Sequence, residues 1–179
     1  MSASDLITED YRRMQQELHR NPEYGVASLE YAPIVAQVMK TTGFTELLDY
    51  GAGKGRLGQA LDGLFDVPLT IHHYDPAIPQ WSARPAPCRL VTCIDVLEHI
   101  EPHLLDNVLD DLRRLTLTVG IFSVHTGPAV KVLADGRNAH LIQQPPSWWL
   151  PKLLERFELA VYNRNQKVGF YVIVEPKAA

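Results

Sequence analysis

The chain has 179 residues, of which 46% are hydrophobic and 21% charged, and its formal net charge at pH 7 is −4. These proportions are those of a globular protein and argue against a disordered chain. The acidic balance also disfavours a general nucleic-acid-binding protein, which usually carries a basic surplus, although a local basic patch would be compatible with it. We expect one domain over 1–179.

The expected compartment is the cytoplasm. The first thirty residues are charged and lack the apolar core of a signal peptide, and no apolar run reaches the length of a membrane span. Cys88 and Cys93 lack the Cys-x-x-Cys spacing of a metal site, so they are interpreted as two ordinary thiols in a reducing compartment.

The predicted elements begin with two helices and then alternate. A helix is predicted over 4–20, with Ser4 or Asp5 as its cap, within an N-terminal helical extension over 1–29. A second helix over 30–42 ends at Gly43. Further along, strands are predicted over 45–50, 69–74, 90–96 and 117–124, and helices over 56–65, 102–116 and 148–157. Strands separated by helices indicate a parallel sheet with right-handed crossovers.

Two segments depart from this alternation. The strands predicted over 159–164 and 169–174 are joined only by 165–168, too short for a crossover, so they should pair antiparallel. The segment 76–89 is rich in proline where another strand and helix would continue the pattern, and an irregular connection is expected. The predicted fold is therefore α/β, with a Rossmann-like doubly wound sheet. It is mostly parallel, ends in an antiparallel hairpin and has a reduced third-strand region.

Residues 47–58, LLDYGAGKGRLG, place alternating glycines between a predicted strand and a predicted helix. Glycines let a polar ligand approach the main chain, and a helix N-terminus offers free N–H donors. The register Gly53-Lys-Gly55-Arg-Leu-Gly58 fits the dinucleotide pattern G-x-G-x-x-G, but it would bury an unpaired Asp49. The register D-x-G-x-G-x-G instead leaves Asp49 at the sheet edge, where it suits a ligand with a cationic head.

The next predicted strand ends in Tyr74-Asp75-Pro76. A carboxylate at this position can accept hydrogen bonds from both ribose hydroxyls of an adenosine. NAD and S-adenosylmethionine share that requirement, so Asp49 is the residue that discriminates between them, because a carboxylate would repel a pyrophosphate.

The motifs LLDYGAGKG, HHYDPAI and CIDVLEHI, in this order and spacing, resemble the first, second and fourth strand motifs of class I S-adenosylmethionine-dependent methyltransferases. The resemblance covers roughly 30–175 and implies a seven-stranded sheet with its last strand antiparallel. It implies a cofactor site for S-adenosylmethionine made of Asp49, Gly51, Gly53, Gly55, Asp75, Pro76 and Asp95. Within that set, Asp75 would hold the ribose hydroxyls and Pro76 would pack against the adenine, since the usual third strand is missing.

The segment Asp95-Val-Leu-Glu98-His99 follows the fourth strand motif. If it is helical, its three polar side chains fall on one side. Three interpretations are open: a plain helix start with His99 facing solvent, a general base at His99, or a metal site. For the last, D-x-x-E-H resembles the E-x-x-E-H metal motif of the small-RNA 3′-terminal 2′-O-methyltransferases, which implies Asp95, Glu98, His99 and His140 as ligands of a divalent metal.

Other histidines and the tryptophans are assigned by position. His125 ends the strand 117–124 and should face the pocket, as a catalytic or a hydrogen-bonded loop histidine. The paired histidines at 72 and 73 point to opposite faces of their strand and are interpreted as structural, whereas His19 and His103 are expected on solvated helix faces. Trp148 and Trp149 either wall the site or dock their helix onto the sheet.

The loop 125–146 is long for a compact domain, and we expect it to select the substrate together with the N-terminal helix and Tyr24-Gly25. The predicted function is methyl transfer from S-adenosylmethionine to an oxygen, nitrogen or carbon of an unidentified acceptor, in first place a small molecule. The candidate catalytic residues are Glu98, His99, His125 and His140. The alternatives are a metal-assisted RNA 2′-O-methyltransferase, with RNA as the partner, a non-catalytic cofactor-binding regulatory subunit and, disfavoured by Asp49, a dinucleotide oxidoreductase.

Overall fold

The computed structural model describes residues 6–21, 24–25, 28–165 and 169–178. Its helices are α1 (Glu9–His19), α2 (Ser28–Thr42), α3 (Arg56–Asp62), α4 (Leu105–Leu115) and α5 (Pro146–Leu154). Its strands are β1 (Glu46–Tyr50), β2 (Thr70–Tyr74), β3 (Cys88–Ile94), β4 (Thr116–His125), β5 (Phe157–Asn165) and β6 (Gly169–Pro176). The alternation of strands and helices is confirmed.

The strands form one sheet in the order β2-β1-β3-β4-β6-β5. The first four are parallel to one another, and β6 runs antiparallel to both β4 and β5, so the expected hairpin is confirmed. The described residues contain six strands and not the seven that the resemblance implies. The missing one corresponds to the proline-rich segment 76–89, which forms a short 3₁₀ turn at Pro79–Trp81 and then leads into β3 at Cys88.

Helices cover both faces of the sheet because successive strand residues point to opposite sides. Leu47 of β1 packs with α2 and α3 on one face, and its neighbour Leu48 packs with α4 and α5 on the other. Trp149 of α5 is fully buried in this second layer and does not line the cavity described below, so it docks the helix. The doubly wound arrangement is confirmed, and it leaves the carboxyl edge of the parallel strands for a site.

Several element boundaries differ from the predictions for local reasons. Helix α1 begins at Glu9 because the Thr8 side chain accepts a hydrogen bond from the backbone N–H of Tyr11; the caps predicted at Ser4 and Asp5 lie outside the described residues. Strand β3 ends at Ile94, two residues early, because Asp95 turns the chain with a left-handed backbone, φ 58°.

Helix α1 lies across the carboxyl edge of the sheet and packs against the loop between β4 and α5. Tyr11, Leu133 and Ala139 form a small buried cluster there. Thr8 secures the start of the helix, since its backbone N–H and its hydroxyl both donate to the buried Glu101 carboxylate, at 2.9 and 2.8 Å. Among the described residues, none of the helices combines the length and the apolar character that a membrane crossing needs.

Candidate functional site

A cavity of about 420 Å³ opens at the carboxyl edge of β1, β2 and β3, beneath α1. Its volume lies in the range of ordinary small-molecule sites. The structure brings most of the predicted site residues to its walls, namely Asp49, Gly51, Gly53, Asp75, Pro76, Asp95, His99, His125 and His140. Gly55 caps α3 just behind the loop, and Glu98 is buried beneath the wall.

The glycine loop requires glycine for two physical reasons. Gly51, Gly53 and Gly55 have φ values of 78°, 53° and 66°, in the left-handed region that other residues avoid. A Cβ at Gly51 would also lie 2.3 Å from a methyl carbon of Val96, closer than any real contact. The backbone N–H groups of Gly51 and Ala52 donate to the carbonyl of Tyr74, which fixes the loop to the end of β2.

Asp49 lies at the end of β1 and lines the cavity, with 4% of its surface exposed. One carboxylate oxygen accepts a hydrogen bond from the Thr92 hydroxyl at 3.1 Å, and the other lies 3.8 Å from Nδ1 of His73. A largely buried carboxylate with so few partners favours a cationic group over a phosphate in the adjacent cavity.

Asp75 follows β2 and supports the same loop. Its two carboxylate oxygens accept from the backbone N–H groups of Gly53 and Ala77, at 3.0 and 2.9 Å. Burial raises the pKa of this carboxyl, and the two N–H donors oppose that effect. Each oxygen keeps a further lone pair, so the side chain can also accept from a ligand hydroxyl.

The segment after β3 is a 3₁₀ turn at Leu97–His99 and not the start of an α-helix. One ligand atom from each of Asp95, Glu98 and His140 lies within 4.8 Å of the others, and His99 does not belong to this group. Three of the four residues implied as metal ligands therefore converge.

His99 lines the cavity and does not face solvent, so the plain helix-start interpretation is wrong for it. Its Nδ1 lies 2.8 Å from the carbonyl of Ala139. Because a carbonyl can only accept, Nδ1 carries the proton and Nε2 keeps its lone pair. Burial lowers the pKa of His99 to about 4, so the ring is neutral at pH 7.

Three imidazoles meet on this wall. The ring of His140 lies 4.7 Å from those of both His99 and His125, measured between ring centres. Nδ1 of His140 lies 2.7 Å from the carbonyl of Gly127, which assigns the proton to that nitrogen as well. Burial lowers the pKa of His140, and His125 adds to that effect. His99 and His140 therefore present neutral nitrogen lone pairs to the cavity.

No protein-family model matches the sequence, and no curated protein matches it, but solved structures do. A 1,6-didemethyltoxoflavin-N1-methyltransferase from Burkholderia thailandensis superposes with a TM-score of 0.64 at 15% identity, covering 94% of this chain and 90% of that one. The N-methyltransferase NodS from Bradyrhizobium japonicum gives 0.62 at 10% identity, covering 95% and 100%. Magnesium protoporphyrin IX methyltransferase from Synechocystis gives 0.57 at 13% identity, covering 85% and 84%. All three contain S-adenosylhomocysteine. The fold is that of class I S-adenosylmethionine-dependent methyltransferases.

In this methyltransferase fold, α1 contributes cavity residues that the sequence did not reveal. Tyr11, Gln15 and His19 recur every fourth residue and so share one face, which α1 turns towards the cavity. The expectation that His19 faces solvent was wrong: it lies over Gly53, and burial lowers its pKa to about 4. In the sequence, only the four-residue spacing of these three residues indicated a shared face, and the apolar residues of the helix made this pattern hard to recognise.

His72, His73, His103 and Trp148 do not line the cavity of this methyltransferase fold. His72 is exposed and pairs with Glu46 at 2.7 Å, whereas the ring of His73 packs on Trp81, so both structural interpretations hold. His103 is exposed, as expected. Trp148 lies under the ammonium of Lys152 and does not line the cavity.

Proposed function

We propose that this protein is a methyltransferase that uses S-adenosylmethionine and methylates a small molecule. The proposal depends chiefly on one observation: Asp49, Asp75 and the glycine loop lie in the same cavity as three neutral or half-buried histidines. One set of residues fits a cationic adenosine cofactor, and the other fits an acceptor that loses a proton. A site for binding alone would not need the second set.

The residues present fit the cofactor. Gly51, Ala52 and Gly53 line the cavity, so a ligand can lie against their main chain. Asp49 would face the positively charged methionine part, and Asp75 would accept from the ribose hydroxyls. Pro76 and Ala77 line the adjoining wall, where an adenine ring would find apolar contacts.

When bound, S-adenosylmethionine supplies an activated methyl group, whose C–S electron pair returns to sulfur as the acceptor's lone pair forms the new bond. The protein itself has to orient the acceptor, and well-placed systems gain about 7–11 kcal/mol from orientation alone. His99 can then take the acceptor's proton at Nε2, because its Nδ1 is held by Ala139. The lowered pKa makes His99 a weak base, so an acceptor with an acidic proton suits it best.

A small acceptor is favoured by the shape and charge of the site. Helix α1 and the loop 125–146 cover the cavity from two sides, through the Thr8–Glu101 hydrogen bonds and the cluster around Tyr11. The net charge of −4 does not favour a polyanion. The similar proteins from Burkholderia and Synechocystis are named for small molecules, 1,6-didemethyltoxoflavin and magnesium protoporphyrin IX, which supports this choice.

Calorimetry with S-adenosylhomocysteine tests the cofactor site. Asp49→Asn and Asp75→Asn should each weaken binding about 10- to 100-fold, the cost of one hydrogen bond to a charged group. Asp62→Asn, at the exposed end of α3, removes the same charge and should bind normally. Unchanged binding in both site variants would refute the cofactor assignment.

The acceptor class can be tested with labelled S-adenosylmethionine and a cell extract separated into small-molecule and RNA fractions. We expect label in the small-molecule fraction, and its loss with His99→Gln. Label in RNA alone would refute the small-molecule acceptor. Cofactor binding without transfer to any fraction would instead support a non-catalytic cofactor-binding subunit.

A further inference from the structure

We infer that Asp95, Glu98 and His140 form a binding site for one divalent cation, open to the cavity on the acceptor side. The role of the cation in catalysis rests on the proposed methyltransferase function, but its binding does not. The three residues come from separate parts of the chain: the turn after β3, the following 3₁₀ turn and the loop before α5.

The ligand atoms are nearly close enough to share an ion. One atom from each residue lies within 4.8 Å of the others. Ligands at about 2.0–2.2 Å from a single ion can be at most about 4.4 Å apart. The widest separation therefore exceeds this limit by a few tenths of an ångström, so small side-chain movements would bring the three atoms within reach of one ion.

The buried carboxylate of Glu98 is the group that most needs a bound cation or proton. Its side chain is completely buried, and its Oε2 has no hydrogen-bond partner among the described residues. Within the same part of the chain, no lysine or arginine lies within 4.0 Å of either carboxylate, Asp95 or Glu98. A fully buried carboxylate beside a second, half-buried one is costly unless a proton or a cation lies between them.

The surrounding groups orient all three ligands as outer partners do in metal sites. Nδ1 of His140 donates to the carbonyl of Gly127, so Nε2 is left as the ligand nitrogen. The other oxygen of Glu98 accepts from the backbone N–H of His125. Asp95 is held by its left-handed backbone and by the hydrogen bond from its N–H to the Ser123 hydroxyl.

Two carboxylate oxygens and one imidazole nitrogen suit Mn²⁺, Fe²⁺, Co²⁺ or Zn²⁺. Three protein ligands leave coordination positions free, and Asp95 and His140 line the cavity, so these positions face the acceptor. A hydroxyl oxygen bound there would have a lowered pKa and would lose its proton more easily. The inferred acceptor atom is therefore an oxygen.

Calorimetric titration of metal-free protein with Mn²⁺ tests the site. We expect one ion per chain, at least about tenfold weaker binding with Asp95→Asn, and greater losses with Glu98→Gln and His140→Ala, since even outer partners contribute that much. Asparagine tolerates the left-handed backbone of residue 95, so this variant keeps the fold. His103→Ala, an exposed histidine away from the cluster, is the matched control. Circular dichroism establishes that each variant is folded.

The outcomes separate this inference from the proposed function. No Mn²⁺ or Zn²⁺ binding, or binding that survives all three substitutions, would overturn the cation site; a protein that still binds S-adenosylhomocysteine would then keep the methyltransferase proposal. Mn²⁺ binding without S-adenosylhomocysteine binding would refute the proposed function and leave the site. Loss of the ion with His99→Gln but not with His140→Ala would overturn the choice of ligands.

Discussion

Replacing Gly51 by alanine tests the geometry of the glycine loop. The new Cβ would meet two difficulties: a φ of 78°, and a methyl carbon of Val96 at 2.3 Å. The left-handed backbone costs about 1–2 kcal/mol. Overpacking against a side chain costs about 1–3 kcal/mol more. We therefore expect the free energy of unfolding to fall by about 2–5 kcal/mol, measured by urea denaturation.

Gly43→Ala is the matched control. Gly43 has nearly the same φ, 71°, but the described residues place nothing within 4 Å of a Cβ there, so only the backbone term should appear. Removing the obstructing methyl groups with Val96→Ala should recover part of the loss in a double-mutant cycle. If Gly51→Ala costs no more than Gly43→Ala, or if Val96→Ala recovers nothing, the assignment of the cost to the Val96 contact is wrong.

Two further predictions concern α1 and pH. Thr8→Ala should lower the free energy of unfolding by about 1–3 kcal/mol, because it removes both the helix cap and a hydrogen-bond donor to Glu101. Thr8→Ser keeps the hydroxyl and should cost little. Equal losses of stability in the two variants would contradict this explanation. His19 has a pKa of about 4 in the folded protein, against an ordinary value of 6.5. Below pH 6.5 the unfolded chain therefore binds a proton that the folded chain does not. The free energy of unfolding should fall as the pH is lowered from 6.5 to 4. The full shift corresponds to about 3 kcal/mol, and partial exposure reduces it to about 1–2. Thermal unfolding of His19→Gln should show a flatter pH dependence, and an unchanged slope would contradict the assignment.

The sequence predicted the features that depend on local chemistry. Alternating glycines after a β-rich segment predicted the glycine loop, because glycine readily adopts the φ values found at Gly51 and Gly53. The short connection 165–168 predicted an antiparallel hairpin, since no crossover fits in it. The prolines of 76–89 likewise predicted the missing strand. In each of these three segments, the allowed backbone conformations alone restrict the structure that can form.

Features that depend on tertiary contacts were not predictable in the same way. Nothing in the DVLEH segment shows that the chain turns left-handed at Asp95, or that Asp95 and Glu98 converge with His140 without His99. Gln15 and His19 are polar residues on a buried helix face, so apolar periodicity does not find them. Their position follows from where α1 docks, through contacts to Glu101 and the loop 125–146.

The insertion of β6 between β4 and β5 has a consequence for how the protein is made. Strand β5 pairs with β6 alone among the described strands, so it has no place in the sheet until β6 has paired with β4. The ribosome must therefore synthesise the chain through Pro176 before strand β5 can join the sheet. Until then the nascent polypeptide carries an unpaired β4 edge, and exposed strand edges of this kind promote aggregation.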